Sequence, residues 1–561
     1  MTLRGALREK IDRMKGKGRV EYPVVEIKEP KHLIIFPSLK KMTEVDIKYP
    51  LLEPFVYAKI KWDAEKKGLV YNIIEPKLSE REVKVLETVK KDLLETIDVE
   101  LSAIKDRGKT FEYIQKKLAG ILEDENIVLS SETYVKISYY IYRDFVGFNE
   151  IEGLLHDPYI EDIGCSGLGI PVFVVHRKFG STETNIVYTD GGYLNNFVIK
   201  LAERCGRYVS YAKPLLDGSL PDGSRVQATL AKDVTTKGPT FSIRKFRIEP
   251  FSPIDIINLN TASSELMAYI WMVTEARAST LICGGVSSGK TTFLNSMSMF
   301  IPPEDKIVSI EDTRELNLPH ENWIPSVSRV GFGVPEASGK RYGEVTLFEL
   351  LKESFRQNPD YVIVGEVRGK EAYVMFQGMA SGHSSIGTIH AGSIEDVIKR
   401  LETPPIELSP SLIETLDLVI VMVNAKEKGK SARRVKSIVE IESVDPKTGS
   451  PHTIKTFDWV PSTDSFGSNF ETSYLLKRIA FDRGMSYEKM TEEIKNRAKI
   501  LEWMRKFAIT DYREVCKLIN IYYKEPSIIM EWVNKNLPPY KTKTRQVKKL
   551  LESSTGLGII E

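Results

Sequence analysis

The sequence predicts an α/β protein in which a mostly parallel sheet is covered by helices, with α+β segments ahead of it and a helical region behind. Three observations carry this. Between 258 and 445, short continuous apolar runs alternate with helix-like ones, the pattern of strands buried on both faces. One run, LICGGVSSGKTTFLNSM (281–297), is apolar, then rich in Gly and Ser, then apolar again, so it reads as strand, turn and helix. The chain has 561 residues, 42% apolar and 28% charged. That is too long for one core and too apolar for global disorder.

The elements follow in order. Residues 1–148 are expected to form an N-terminal α+β partner-docking domain. It opens on Leu3, Leu7, Ile11 and Met14 along one helical face, with Arg4, Arg8, Lys10, Arg13 and Lys15 elsewhere. Such a basic helix suits a partner or an anionic membrane surface. VEYPVVEI, HLIIFP, FVYAKIKW and GLVYNII read as strands, and the stretches around 78–122 and 131–147 as helices. A second α/β domain is expected over 149–246: strands with tight turns in IEDIGCSGLGIPVFVVHRKFG, a helix closed by Gly206, then turn-rich PLLDGSLPDGSRVQATL and the strand TFSIRKF. The two prolines of IEPFSPIDII make 247–257 the expected linker, 258–460 the nucleotide-binding domain and 461–561 a charged helical region.

Gly284, Gly289, Lys290 and Thr291 satisfy G-x-x-x-x-G-K-[ST]. Glycines let the backbone wrap phosphates with its N–H groups inward. The predicted binding stretch is therefore Gly284, Gly285, Val286, Ser287, Ser288, Gly289, Lys290, Thr291 and Thr292, with Lys290 reaching the β- and γ-phosphates of ATP and Thr291 binding Mg²⁺. The helix that starts there offers the positive end of its dipole. Two apolar strands then end in acids, KIVSI at Glu311 and Asp312, and YVIVG at Glu366. Both ends fall at the sheet edge where the phosphate loop sits. Glu366 is the candidate second Mg²⁺ ligand, through water, and either Glu311 or Glu315 the water-orienting base. In ASGHSSIGTIHAG, His383 and His390 stand seven apart, which is no zincin spacing, so no metal site is expected. A strand-end imidazole can instead donate to phosphate, and both histidines join the expected nucleotide contacts.

Bulk properties narrow the partners. Formal net charge is +2, from 79 basic and 77 acidic residues, less basic than proteins that grip nucleic acid along their length. Cys165, Cys205, Cys283 and Cys516 form no CxxC pair, so no zinc ribbon is expected and the thiols read as buried in a reducing compartment. No window reaches the ~18 apolar residues of a membrane span, and MTLRGALREKIDRMKGKG lacks the apolar core of a signal peptide. The expectation is a cytoplasmic protein.

Four elements stand in one order: GGVSSGKT, SIEDTREL, VIVGEVRGKEA and SGHSSIGTIHAG. The set resembles the secretion ATPase superfamily of type II secretion, type IV pili, type IV secretion and the archaellum, whose members name these elements Walker A, Asp box, Walker B and His box. The resemblance covers roughly 150–445, and VGEVRGKEA, LPDGSRVQAT and TFSIRKF look most like its archaeal branch. It implies a RecA-like motor domain that hydrolyses ATP with Mg²⁺, a homohexameric ring, a polytopic membrane platform protein as partner, and a place at the inner face of the cell membrane. Arg225 of LPDGSR and Arg244 of SIRK match arginines that approach the phosphates in such proteins. Two departures stand out. The paired-CxxC zinc module of many bacterial relatives has no counterpart, and Thr313 replaces their usual proline, which keeps the choice between Glu311 and Glu315 open. The alternatives are a RecA-like nucleic-acid translocase and a nucleotide-gated scaffold without turnover.

Overall fold

The computed structural model describes residues 22–28, 41–96, 107–230, 232–246, 249–331, 341–427, 430–445 and 450–540. The basic helix expected over Leu3–Lys15, all of HLIIFP and the end of the chain lie outside them. The chain divides into two compact units, Met1–Phe246 and Arg247–Glu561.

The first unit is built on a nine-stranded sheet ordered β1-β2-β3-β6-β5-β4-β9-β8-β7 among the described residues. The strands are β1 (Asp46–Leu52), β2 (Val56–Asp63), β3 (Gly68–Ile74), β4 (Ile160–Cys165), β5 (Pro171–His176), β6 (Gly180–Val187), β7 (Leu215–Ser219), β8 (Arg225–Thr229) and β9 (Thr240–Arg244). β3 and β6 pair in parallel and the other neighbours antiparallel, so strands from either side of residue 148 share one sheet. Helices Glu80–Thr96, Arg107–Asp124 and Ser131–Ile141 fill the expected polar stretches. Their apolar positions recur every three or four residues, and those positions are the buried ones: Leu86, Val89 and Leu93, then Ile114, Leu118 and Ile121. A buried carboxylate ties the unit together. The Tyr49 and Tyr71 hydroxyls each donate to Asp157 Oδ2 at 2.6 Å, and Tyr159 N donates to Oδ1 at 2.8 Å. A buried charge persists only when its lone pairs are satisfied in this way.

Among the described residues the second unit also holds nine strands, ordered β12-β11-β13-β14-β10-β15-β16-β17-β18: β10 (Thr280–Gly284), β11 (Ile307–Glu311), β12 (Trp323–Val327), β13 (Tyr361–Val367), β14 (Ser384–Ile389), β15 (Leu418–Glu427), β16 (Lys430–Val444), β17 (Pro451–Val460) and β18 (Ser465–Ser468). β12 through β15 are parallel in the sheet and β16 to β18 add antiparallel edge strands. β10 lies between β14 and β15, with β13 one strand further and β11 beyond it. In that order, one strand separates β10, which leads into the glycine-rich turn, from the acid-bearing β13. β10, β11 and β14 are buried at every position, which is why their sequences read as apolar or small runs, broken only by Glu311 at the end of β11.

Within the segment expected as a linker, Pro253–Asn258 forms a short helix started by a capping box between Ser252 and Asp255, with its proline in the first turn. Helices Tyr474–Asp482, Tyr487–Lys506, Tyr512–Lys524 and Pro526–Asn534 make up the helical region. They share a core with the sheet and earlier helices of the same unit. Trp271 stacks on Phe300 at 5.4 Å, its Nε1 donates to the Tyr523 hydroxyl at 2.8 Å, and that hydroxyl donates to Phe300 O at 2.6 Å. The buried Arg497 guanidinium covers Trp271 at 4.9 Å and pairs with Glu275. No helix among the described residues is long and apolar enough to cross a membrane.

Candidate nucleotide site

β10 ends at Gly284, and the chain turns through Gly285–Ser288 into the helix Lys290–Ser298. Three features make the turn a cradle. Ser287 and Gly289 take positive φ, +57° and +90°, which reverses the chain tightly enough for successive N–H groups to converge. Gly284 has no room for a side chain, since a Cβ there would lie 2.5 Å from Ser288 Oγ and 2.6 Å from Met422 O. Gly289 caps the helix and offers no side-chain acceptor to its first N–H groups, which are left to an anion.

Lys290 is buried. Its Nζ donates to Gly284 O at 3.1 Å and Gly285 O at 2.9 Å, and lies 3.3 Å from His390 Nδ1. Burial lowers its pKa. The ammonium can only donate, so His390 Nδ1 accepts and the proton of a neutral ring sits on Nε2, which lies 3.1 Å from Glu366 Oε1. Glu366 Oε2 pairs with Arg368, which also faces Asp312 at 3.6 Å. Burial alone would raise the Glu366 pKa, but Arg368, His390 and Lys290 together hold it below the usual carboxylate value. A continuous polar chain thus runs from the loop lysine to the acid at the end of β13.

Glu311 closes the other side. It is 2% exposed, and its Oε1 accepts from Glu315 N at 2.9 Å and Leu316 N at 3.0 Å. Its Oε2 is buried without a partner. Burial pushes its pKa up to about 7, against those two N–H bonds. The strand partner explains a detail of the sequence: β13 carries Gly-Glu, and a Cβ at Gly365 would sit 3.0 Å from Glu311 Cγ. The missing side chain is the room that Glu311 occupies. Glu315 is exposed, and its backbone N–H is its bond to Glu311.

The residues fit a nucleotide and its magnesium: a glycine cradle, uncapped helix N–H groups, a buried lysine, and the oxygen donors Thr291 and Glu366, the hard ligands Mg²⁺ takes alongside phosphate oxygens.

Not every expected residue is brought there. His383 precedes β14, whereas His390 follows it, so the strand carries the two to opposite edges of the sheet. The His383 ring packs 5.1 Å from Phe355, and its Nδ1 lies 3.4 Å from Pro359 O. The six strand residues between the two histidines span about 20 Å, so the described chain does not bring His383 to His390. Arg225 and Arg244 belong to the first unit. They stand opposite each other on β8 and β9 and pair with Asp217 at 3.4 Å and Asp162 at 3.0 Å. Residues the motifs did not single out also shape the site. Glu371 Oε1 accepts from Arg368 N and Gly369 N, both at 2.6 Å, and Thr388 Oγ1 donates to Gly365 O at 2.6 Å. An acid three residues after a strand-end arginine was the available signal for Glu371.

A family model described as type II/IV secretion system protein matches residues 172–452. Uncharacterized protein MJ0900 of Methanocaldococcus jannaschii is 35% identical over 517 residues, 87% of this chain and 91% of that one. Type IV secretion system protein PtlH of Bordetella pertussis is 31% identical over 274 residues, 43% of this chain and 79% of that one. Among solved structures, the VirB11 ATPase from the Brucella suis type IV secretion system, in complex with sulphate, is 23% identical and covers 50% of this chain and 89% of its own, with a TM-score of 0.26. On the model match and on the length shared with its archaeal relative, the chain belongs to the type II/IV secretion system protein family.

Proposed function

We propose that the chain is an ATP-hydrolysing motor that works as a homohexamer and drives a membrane platform protein at the inner face of the cell membrane, powering a secretion, pilus or archaellum machine. The observation that carries the reading is the Lys290–His390–Glu366 chain at the mouth of the phosphate loop. A lysine bound by the loop's own carbonyls is stationed to meet a phosphate. Glu366 beside it supplies a carboxylate for Mg²⁺, whose charge would draw electron density from the transferring phosphoryl group. Glu311 is the preferred water-orienting base over Glu315, because it is buried, carries an oxygen without a partner and titrates near neutrality. Arg225 and Arg244 are proposed to neutralise phosphate charge during the cycle. Bound ATP and ADP would favour different arrangements of the subunit, and that difference in affinity is the source of movement.

The test is phosphate release from Mg-ATP by the full chain. Lys290→Ala is expected to lower turnover by at least about a hundredfold, the scale of losing one aligned charge-stabilising donor. Wild-type turnover in that variant would put the chemistry somewhere else.

A further inference from the structure

The phosphate loop is held from outside by a hairpin. β15 and β16 are antiparallel, and their register sets Asn424 opposite Arg433. Asn424 Nδ2 donates to Val286 O at 3.1 Å, and Arg433 Nε donates to Ser287 O at 3.4 Å. These carbonyls form the crown of the loop. Val286 is 77% exposed, and Ser287 is the non-glycine residue held at φ +57°. The same strands wall the loop at both ends: Met422 O closes on Gly284, and a Cβ at Gly289 would meet Arg433 Cγ at 3.4 Å. Neither Asn424 nor Arg433 belongs to the polar chain around Lys290.

We propose that Asn424 and Arg433 are positioning residues for the nucleotide, and that they act by pinning the two crown carbonyls outward. A cradle that turns its N–H groups inward must turn the corresponding carbonyls out. At an exposed turn with a strained residue, nothing intrinsic prevents those peptides from rotating and presenting oxygen to an anion. Two donors on the outer side remove that alternative before phosphate arrives. The loop is then preorganised, and less binding energy goes into ordering it. The proposal rests on reading the loop as a nucleotide site and adds residues that control its affinity.

The experiment uses the full chain, with Asn424→Leu and Arg433→Met, which keep side-chain bulk and lose the donor. ADP affinity by titration, ATP KM and kcat, and melting temperature without nucleotide are the readouts. Each single variant is expected to weaken ADP binding and raise KM about three- to tenfold, the effect of one modest hydrogen bond. kcat should stay within about twofold and the nucleotide-free melting temperature should hold, with Arg433→Lys restoring most of the affinity. A double variant that binds ADP as tightly as the wild type overturns the clasp, as does an affinity loss matched by a collapse in melting temperature. A wild-type chain that binds no ADP overturns the nucleotide reading itself, and the clasp with it.

Discussion

Gly365 and Glu311 show how one residue's chemistry is set by another's absence. With Cβ space 3.0 Å from Glu311 Cγ already taken, Gly365→Ala must displace the carboxylate. We expect turnover to fall several-fold while nucleotide binding is retained, checked by steady-state rates and ADP titration. The pH dependence has a definite sign. Glu311 is raised from 4.5 to about 7, so it is neutral below that value and charged above it. A base must be charged, so turnover should rise with pH through about 7, and Glu311→Gln should remove that limb. Stability runs the other way: the contribution of the neutral buried carboxyl is complete below about 4.5 and is lost as pH rises through 7. Legibility differed residue by residue. Gly284, Lys290 and Glu366 stood out in the sequence because the proposed phosphate chemistry calls for those types at that spacing. Gly365, Asn424 and Arg433 were not, since their roles exist only once β11 meets β13 and β15 meets β16. His383 and His390 looked equivalent because each is a strand-end histidine, and only strand direction separates them.

At the scale of elements, the helical region is fastened by one buried acid. Glu440 on β16 is fully buried. Its Oε1 accepts from the Tyr269 hydroxyl at 2.7 Å and the Ser473 hydroxyl at 2.6 Å, and its Oε2 from Tyr474 N at 2.7 Å and Leu475 N at 3.0 Å. It therefore caps the helix Tyr474–Asp482 from the sheet, on the favourable side of that helix's dipole. Glu440→Ala would strand four donors and should cost roughly 3 kcal/mol or more. Urea unfolding of the full chain measures this, and a loss below about 1 kcal/mol would mean the helix is held by packing alone. The helices themselves were legible from their apolar spacing. Their attachment was not, because Glu440 sits in an ordinary strand and nothing local tells a surface acid from a buried cap.

At the scale of the molecule, each unit has its own buried core, one built around Tyr71 and Phe197 and the other around Trp271 and Phe300. A ligand stabilises whatever native structure it binds, by about 2.7 kcal/mol at a hundred times its Kd. The proposed role of Arg225 and Arg244 therefore predicts that ADP raises the melting of both cores in calorimetry. A shift confined to the core around Trp271 would remove the two arginines from the nucleotide. The α/β class and the parallel order of strands were legible from alternating runs, while the union of strands from either side of residue 148 in one sheet was hidden by the helices between them.

The stacking of Trp271 and Phe300 beneath Tyr523 has a consequence for how the protein is made. Phe300 lies just beyond the phosphate-loop helix, yet its cover is synthesised long after the loop has left the ribosome. During that interval the nascent chain carries an exposed aromatic face. A message truncated before Tyr512 would yield a polypeptide with the glycine-rich loop and both acid-bearing strands present and a sticky flank, destined for chaperones or aggregation.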